Sequence, residues 1–283
     1  MQRRIVFCAD DLGISPGTNE GIRDAAEAGL VKETSLCVTG IAMDEGLEVA
    51  RSLADSDSGS LSVGLHLSFT LGRSLTGPLP ALTDDEGVFL PLPKVLRACL
   101  FRKVNRTQVA AEVEAQIARL ADHGIQPTHL NGHHHVHSFP VIRDAVVPAM
   151  QRWKIGWTRL PQERKGPVGR FSLRRMLLDR FARGLRESLA GSSIRSLPFV
   201  GLSIQDRADY RDIFVRTLEG LPPGDYEWMV HPRAPDPSFA KLDHLGHERG
   251  SQAPAELATL TDPALVRQVA DLGIECCSFA DLS

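Results

Sequence analysis

The sequence predicts a single irregular (β/α) barrel, and three observations support this fold class. Short apolar runs of strand length alternate about seven times with helical segments along the 283 residues, and no change in composition marks a second domain. The conspicuous polar residues follow strands at their carboxyl ends, where barrel active sites form. We therefore expect one domain over residues 1–283. An open, doubly wound sheet is the alternative, but no Gly-x-Gly-x-x-Gly or Walker sequence indicates a nucleotide site.

The composition is that of an ordinary globular protein. Hydrophobic residues make up 42% and charged residues 24% of the chain, so a large core can be buried. The formal net charge of −3 gives no indication of a nucleic-acid partner. The five cysteines include no Cys-x-x-Cys and are expected to be reduced core thiols of a cytoplasmic protein. No apolar run reaches the roughly 18 residues of a membrane span.

The first predicted strand ends in two acidic residues. Its apolar residues suit a strand that is buried on both faces, and Asp10 and Asp11 follow at its carboxyl end. Ser15-Pro16 is typical of a helix start. His66 lies within the third predicted strand, and a histidine among apolar neighbours is more often a core residue than a ligand. The predicted strands of this half are residues 5–9, 34–40 and 61–69, and its helices are residues 16–28 and 45–54.

The remaining elements continue the alternation. Residues 55–60 are a small polar loop, and residues 71–92, which have no clear period, predict a loop or lid over one end of the sheet. Thr107 is expected to cap a helix that ends at His123-Gly124. The other predicted helices are 141–152, 171–189, 207–218 and 263–272; the strands are 155–160, 197–202, 226–230 and 274–279; and 239–252 is a polar loop. The arginines of the predicted helix 171–189 are expected to form a solvent-exposed face, and contact of that face with a membrane surface is the alternative.

A histidine-rich segment, residues 128–140, lies between the predicted helices. It holds five of the ten histidines: His129, His133, His134, His135 and His137. In an extended chain, alternate side chains share a face. That places His129, Asn131, His133, His135 and His137 together unless Gly132 breaks the alternation. Neutral imidazole is a common ligand of zinc and other transition metals, so the segment predicts a metal site at one end of the sheet; a polar surface run is the alternative.

Three loci are then expected to converge: the Asp10-Asp11 pair, His66 and the histidine segment. One carboxylate and two imidazoles form a partial shell for a divalent ion and leave positions open for water and substrate. Two adjacent aspartates cannot easily serve one ion equally, so the second is expected to act as a base. The alternative for the pair is a helix cap with a solvated neighbour.

These motifs resemble the YdjC-like carbohydrate deacetylases, the relatives of chitooligosaccharide deacetylase. The resemblance covers nearly the whole chain. It implies an irregular (β/α) barrel, removal of acetyl groups from N-acetylated sugars, and a divalent ion held by Asp11, His66 and His133. It further implies that Asp10 is the base and His231 the general acid. The matching segments are Ala9-Asp10-Asp11-Leu12-Gly13, Val63-Gly64-Leu65-His66-Leu67, residues 128–137 and His231-Pro232.

The expected cofactor is one divalent ion, Mg or Zn in the first place and Mn or Co otherwise. His135, His137 and Arg159 are expected near the substrate, while Trp157, Tyr226 and Trp228 could face a sugar ring or belong to the core. The expected partner is a short N-acetylated sugar or a glycoconjugate. Many family members read Asp-Ser where this chain has Asn131-Gly132, and a branch associated with hopanoid lipid synthesis is similar there.

Several alternatives stay open at the level of sequence. A phosphoesterase, an amidohydrolase or a non-catalytic metal-binding protein would carry similar residues. A lipid-linked amino sugar as substrate, a peripheral membrane contact and a homodimer are also compatible with the sequence.

Overall fold

A computed structural model describes residues 2–54, 61–163, 173–205, 207, 209–242 and 253–282. Within them, eight strands form one parallel sheet. The predicted loop 55–60, most of the loop 239–252 and the first two residues of the predicted helix 171–189 lie outside this range. The strands are β1 (Arg3–Leu12), β2 (Glu33–Leu36), β3 (Ser62–Leu67), β4 (His129–Gly132), β5 (Trp157–Thr158), β6 (Phe199–Val200), β7 (Gly224–Val230) and β8 (Ile274–Cys276).

The sheet is curled, and its order is β5-β4-β3-β2-β1-β7-β6, with β8 paired to the start of β1. The long strand β1 lies in the middle, where Arg3 to Ala9 run beside Gly224 to Val230 of β7. Isolated parallel bridges join Trp157 to Arg195 and Glu163 to Phe199, so the β5 end of the sheet meets the β6 end. The predicted (β/α) barrel is confirmed. It is irregular because β5 and β6 have only two residues each.

Helices connect the strands as the parallel topology requires. They are α1 (Pro16–Glu27), α2 (Met43–Ala54), α3 (Leu92–Leu100), α4 (Arg106–Asp122), α5 (Ile142–Trp153), α6 (Leu173–Ser188), α7 (Tyr210–Gly220), α8 (Phe239–Leu242), α9 (Ala253–Leu260) and α10 (Pro263–Asp271). Short 3₁₀ segments span His133–Ser138 and Ala280–Leu282. None of the described helices is long and apolar enough to cross a membrane.

The helix boundaries differ from the sequence predictions at a few places. Ser15 caps α1 as predicted, because its side chain accepts a hydrogen bond from the backbone of Thr18. Helix α4, however, is capped by Asn105 and not by Thr107. Asn105 is one position earlier than the first helical residue, and its side-chain oxygen accepts from two backbone N–H groups. The helices α3, α8 and α9 were not predicted, and α8 forms the start of the predicted polar loop 239–252.

The core fills both faces of the central strand. The first apolar residues of β1 are fully buried, as predicted for an inner strand of a parallel sheet. Trp228 is 0%, Tyr226 2% and Trp157 6% exposed, and Trp157 stacks on Phe279. These three aromatic side chains therefore belong to the core, the second of their two predicted roles, and do not offer a flat face to a sugar.

Candidate active site

Two aspartates lie at the carboxyl end of β1, and the backbone turns sharply between them. Asp11 has a φ of 77°, in the left-handed region that few residues other than glycine adopt. The pairing register between β1 and β2 shifts at the same point, between Ala9 and Leu12. Both carboxylates are buried, Asp10 with 1% and Asp11 with 7% exposure. Because of this irregular backbone, the two adjacent side chains have entirely different partners.

Asp11 lies between two imidazoles from the ends of neighbouring strands. Its Oδ1 atom is 2.9 Å from Nε2 of His66, in β3, and 3.1 Å from Nδ1 of His133, which follows β4. All three side chains are buried. Their ligand-type atoms lie within 4.8 Å of one another, a spacing at which one ion could contact all three. The structure thus brings the three predicted metal ligands together.

A hydrogen bond from behind determines which nitrogen of His66 faces this cluster. Nδ1 of His66 is 2.7 Å from Oδ1 of Asn131 and 3.0 Å from the hydroxyl of Ser35. The amide nitrogen of Asn131 donates to Asp10 (2.9 Å), so its oxygen must face the histidine. Nδ1 of His66 therefore carries the proton, and Nε2 presents its lone pair to the cluster. The sequence places Asn131 on the predicted histidine face and departs from the family pattern at Asn131-Gly132, but it predicts no contact of Asn131 or Ser35 with His66, because neither residue type signals a metal site.

The cluster fits a divalent ion. Two ligand atoms that each bind one ion at about 2.0–2.2 Å lie about 3 Å apart, and the two distances to Asp11 match this value. Nε2 of His133 is buried and has no hydrogen-bond partner among the described residues. Imidazole with carboxylate is a donor set that Zn²⁺ and related divalent ions accept.

Asp10 belongs to a different network. Arg159 grips it with two guanidinium nitrogens: Nη2 is 2.9 Å from Oδ1, and Nη1 contacts Oδ2. Oδ1 also accepts from Ser35 (3.1 Å) and from Asn131. Arg159 is fully buried, and its Nε donates to Glu227 of β7 at 2.6 Å. A buried row of alternating charges, Asp10–Arg159–Glu227, therefore runs beside the Asp11 cluster.

The surroundings shift the pKa values of these carboxyl groups in opposite directions. Burial raises the pKa of Asp10, but the positive charge of Arg159 and, next, the proximity of His66 lower it by more. The net pKa of Asp10 therefore lies below the usual range. Burial also raises the pKa of Asp11, but His133 and His66 lower it by more, so the net pKa of Asp11 is well below the ordinary value. At Glu227 burial prevails and the pKa is raised. Asp10 and Asp11 are therefore both ionised at neutral pH.

His231 reaches the site from the end of β7. Its Nε2 atom is 3.9 Å from Oδ2 of Asp10, and its side chain is 30% exposed. Its Nδ1 atom is 2.5 Å from the amide nitrogen of Gln205. The backbone N–H of His231 donates to Glu256 (3.0 Å), which also accepts from the hydroxyl of Tyr210. The ring is thus held from one side and faces Asp10 and solvent with the other.

A comparison with known proteins agrees with these motifs. The sequence model of the YdjC-like protein family matches residues 4–271. The chain belongs to this family. It is 33% identical to a mouse carbohydrate deacetylase over 99% of this chain and 94% of that one. It is 29% identical to a carbohydrate deacetylase of Brevibacillus brevis, over 99% of each chain.

A solved structure supports the fold of this YdjC-like chain. A proposed cellobiose-phosphate cleavage protein of Enterococcus faecalis superposes with a TM-score of 0.76 at 21% identity, and the match covers 100% of both chains. At this level of identity the likeness shows the fold.

The histidine segment of this YdjC-like chain does not keep the predicted alternation. Strand β4 ends at Gly132, and the backbone turns through His134 and His135, whose φ angles are 53° and 60°. The shared histidine face, which was predicted on the condition that the alternation continues through Gly132, therefore does not form beyond that residue. Gly132 itself is extended, and the alternation ends at the left-handed residues that follow it. The close approach of the Leu67 carbonyl, 2.9 Å from where a side chain at position 132 would begin, explains the glycine there. His133 reaches Asp11 from the turn that follows.

His137 contacts Arg159 directly, and His135 packs against Phe199, which contacts Arg159 in turn. Nε2 of His137 donates to the carbonyl of Arg159 at 2.9 Å, and burial lowers the pKa of this fully enclosed ring to about 3. His135 is 6% exposed, and its ring contacts the ring of Phe199 in an edge-to-face arrangement. The guanidinium carbon of Arg159 lies 5.2 Å from the centre of the same Phe199 ring. Of the three predicted substrate-binding residues, Arg159 contacts Asp10 directly and His137 contacts Arg159. Their contact with substrate stays a prediction.

The predicted lid is anchored to the body of the protein. The side chain of Glu112, in α4, is fully buried and accepts hydrogen bonds from the backbone of Leu75 and Thr76 and from the hydroxyls of Ser74 and Thr76. Gln116, one turn later, donates to Glu112 at 2.8 Å. The segment that follows β3 is therefore held at residues 74–76, and any lid motion must occur outside that anchor.

Proposed function

We propose that this protein is a metal-dependent hydrolase that removes the acetyl group from an N-acetylated amino sugar. The convergence of Asp11, His66 and His133 at the carboxyl ends of β1, β3 and β4 carries the proposal, because it supplies a three-ligand shell beside a second carboxylate, Asp10. The names of the mouse and Brevibacillus relatives, which align over nearly their full lengths, support deacetylation as the reaction.

Asp11, Nε2 of His66 and His133 would hold one divalent ion, Mg or Zn in the first place and Mn or Co otherwise. When bound, the ion supplies a Lewis acid that polarises an amide carbonyl and lowers the pKa of a water molecule. Three protein ligands leave positions open for that water and for the substrate. Asn131 contributes by keeping the proton of His66 on Nδ1.

Asp10 accepts the proton of the attacking water, and His231 returns a proton to the amine. Asp10 is ionised at neutral pH, so it can act as an acceptor, and Arg159 holds both of its oxygens in place. Water adds to the acetamide carbonyl, the C–N bond breaks, and the nitrogen leaves with a proton from His231. The separation of 3.9 Å between His231 and Asp10 supports a proton donor and a proton acceptor that act on one substrate group.

The substrate is proposed to be short, such as a free amino sugar or a glycoconjugate. The reacting groups are buried, with exposures of 1% for Asp10 and 2% for His66, and the segment after β3 is anchored beside them by Glu112. A recessed site of this kind suits the end of a small ligand better than the middle of a polymer.

The test is acetate release. N-acetylglucosamine, its dimer, its 6-phosphate, an N-acetylated glycolipid and polymeric chitin are each incubated with protein that has been stripped of metal and reloaded with Mg, Zn, Mn or Co. Release from a short substrate, dependent on one of these ions and lost in Asp11→Ala, is expected. Chitin as the best substrate, or phosphate release in place of acetate, would contradict the proposal.

A further inference from the structure

An exposed apolar pair lies among cations at the end of α3. Leu100 is 45% and Phe101 68% exposed, the latter the highest exposure among the large hydrophobic side chains described. Exposed basic residues surround the pair on both sides in the sequence. We call this surface the α3 patch; it consists of Lys94, Arg97, Leu100, Phe101, Arg102 and Lys103.

The α3 patch carries uncompensated positive charge. No Asp or Glu occurs between residues 87 and 111. Arg106, just beyond the patch, pairs with Asp144 at 3.5 Å, and other exposed arginines, such as Arg152 and Arg211, also have carboxylate partners. The four cations of the patch form no ion pair within the part of the chain that the structure describes, although the whole protein has a net charge of −3.

The topology places the α3 patch at the end of the barrel that holds the active site. Helix α4 leads into β4, which is parallel to the other strands, so α4 runs from the carboxyl edge of the sheet to its amino edge. Its first residue, Arg106, therefore lies on the side of Asp11 and His66. Glu112 agrees with this direction, since it contacts residues 74–76, which come after the carboxyl end of β3.

We propose that the α3 patch docks the protein on an anionic membrane surface. Leu100 and Phe101 enter the boundary between headgroups and acyl chains, while the four cations contact lipid phosphates. A second copy of this chain is disfavoured because it would bring two positive patches together. A nucleic acid would leave an aliphatic leucine beside phosphates. Docking in this orientation turns the barrel mouth towards the lipid, where a lipid-linked sugar would be within reach.

Helix α6, the membrane-surface candidate of the sequence, fits less well. Its apolar residues Phe181 and Leu185 are buried in the core, and Met176, 49% exposed, is the one exposed large hydrophobic among the α6 side chains that the structure describes, whereas the α3 patch exposes two adjacent ones, including an aromatic ring. The arginines of α6 thus offer a matched control, with two exposed cations on a face that would not dock.

The test is co-sedimentation of the full chain with vesicles of phosphatidylcholine alone and with vesicles in which phosphatidylglycerol replaces one third of the lipid. Binding to the anionic vesicles that weakens with salt is expected. Arg102→Gln with Lys103→Gln should weaken binding about 30-fold, since each basic residue near such a surface contributes about a factor of five. Phe101→Ser should weaken it about tenfold and Phe101→Leu much less. Arg180→Gln with Arg183→Gln should bind as the parent does.

Several results would overturn the docking surface. They are no binding to anionic vesicles, equal loss in the α6 control, tighter binding to single-stranded RNA than to vesicles, or a dimer that Phe101→Ser dissociates. All variants should keep parental acetate release from a soluble substrate, because none touches the active site. The docking surface is thereby tested separately from the proposed reaction.

Discussion

Asp10 and Asp11 are neighbours in the chain, yet they belong to different regions of the molecule. Asp11 contacts only imidazoles in the cluster, with His66 at 2.9 Å and His133 at 3.1 Å. Asp10 contacts a guanidinium, an amide and a hydroxyl, and its positive partner Arg159 is fully buried. The left-handed backbone at Asp11 makes this separation possible.

The difference indicates what each carboxylate can do. An imidazole nitrogen can exchange its proton for a metal ion, so the partners of Asp11 are replaceable by an ion that all three side chains share. A guanidinium cannot give up its proton in a protein, so the partner of Asp10 remains in place and keeps that carboxylate charged. Asn131 connects the two regions, because its side chain contacts both His66 and Asp10.

The largest expected effect is the loss of metal on changing the Asp11 cluster. Asp11→Ala, His66→Ala and His133→Ala should each abolish stoichiometric metal and all metal-dependent turnover, because two ligands are too few to hold the ion against water. Elemental analysis after gel filtration measures the metal. The control is Asp24→Ala, on the exposed side of α1, which should keep both. Full metal retention in all three variants would refute the ligand assignment.

Changing Asp10 should separate turnover from metal binding. Asp10→Asn keeps the shape of the side chain but removes its negative charge, so we expect metal content to be unchanged and turnover to fall by about 10²–10⁴-fold, the range for loss of a general base. Metal analysis and acetate release on the same preparation test this contrast. If Asp10→Asn turns over normally, the proton is taken by another group.

Asn131→Ala should affect both the Asp11 cluster and Asp10, because Asn131 contacts both. Its effect on metal affinity should be smaller than the complete loss expected when a ligand is removed. The change removes the acceptor that holds the proton of His66 on Nδ1, so metal affinity should fall by about 10–100-fold, as for other residues that support a ligand. Competition with a chelator measures the affinity. Ser35→Ala, which removes a weaker contact to the same ring at 3.0 Å, should cost less. Equal affinity in Asn131→Ala and the parent would show that the tautomer is set elsewhere.

The predictable part of the site comes from residues whose position depends on the local chain alone. Asp10, Asp11 and His66 follow or end short apolar strands, and parallel strands bring their carboxyl ends to one edge, so convergence could be read from the sequence. His133 was predicted as a ligand from a strand alternation that the structure does not continue past Gly132. Its side chain contacts Asp11 from the turn after β4, which contains residues with positive φ angles.

The unpredicted part depends on contacts between distant segments. Arg159 is 149 positions from Asp10, and its long side chain crosses the barrel interior to reach it. The sequence suggested a substrate contact, since nothing local shows that the guanidinium is enclosed between two carboxylates. Gln205 and Glu256 were missed for a related reason. Gln205 is a residue type without a metal or acid–base signature, and Glu256 lies in α9, a short helix whose apolar residues have no clear period.

The smallest expected effect concerns Gln205, a positioning residue for His231. Its amide nitrogen is 2.5 Å from Nδ1 of the ring. To give a proton to the amine, His231 must be an imidazolium with a proton on both ring nitrogens. The Gln205 amide then accepts from Nδ1–H through its oxygen, and Nε2 presents the other proton on the side that faces Asp10. Gln205→Ala should therefore lower kcat about tenfold with KM and metal content unchanged, whereas His231→Ala should lower kcat by about 10²–10⁴-fold.

A double-mutant cycle decides whether Gln205 acts through His231. If it does, Gln205→Ala with His231→Ala should be no slower than His231→Ala alone, because there is no ring left to orient. If Gln205 instead supports the loop before α7 in general, the two losses should multiply and the midpoint of urea unfolding should fall in both backgrounds. Acetate release under saturating metal, with the unfolding midpoint measured on the same four proteins, separates these outcomes.

The cycle also tests His231 itself. A His231→Ala protein that unfolds at lower urea yet releases acetate normally would assign that histidine to packing. The departing amine would then need a proton donor other than His231.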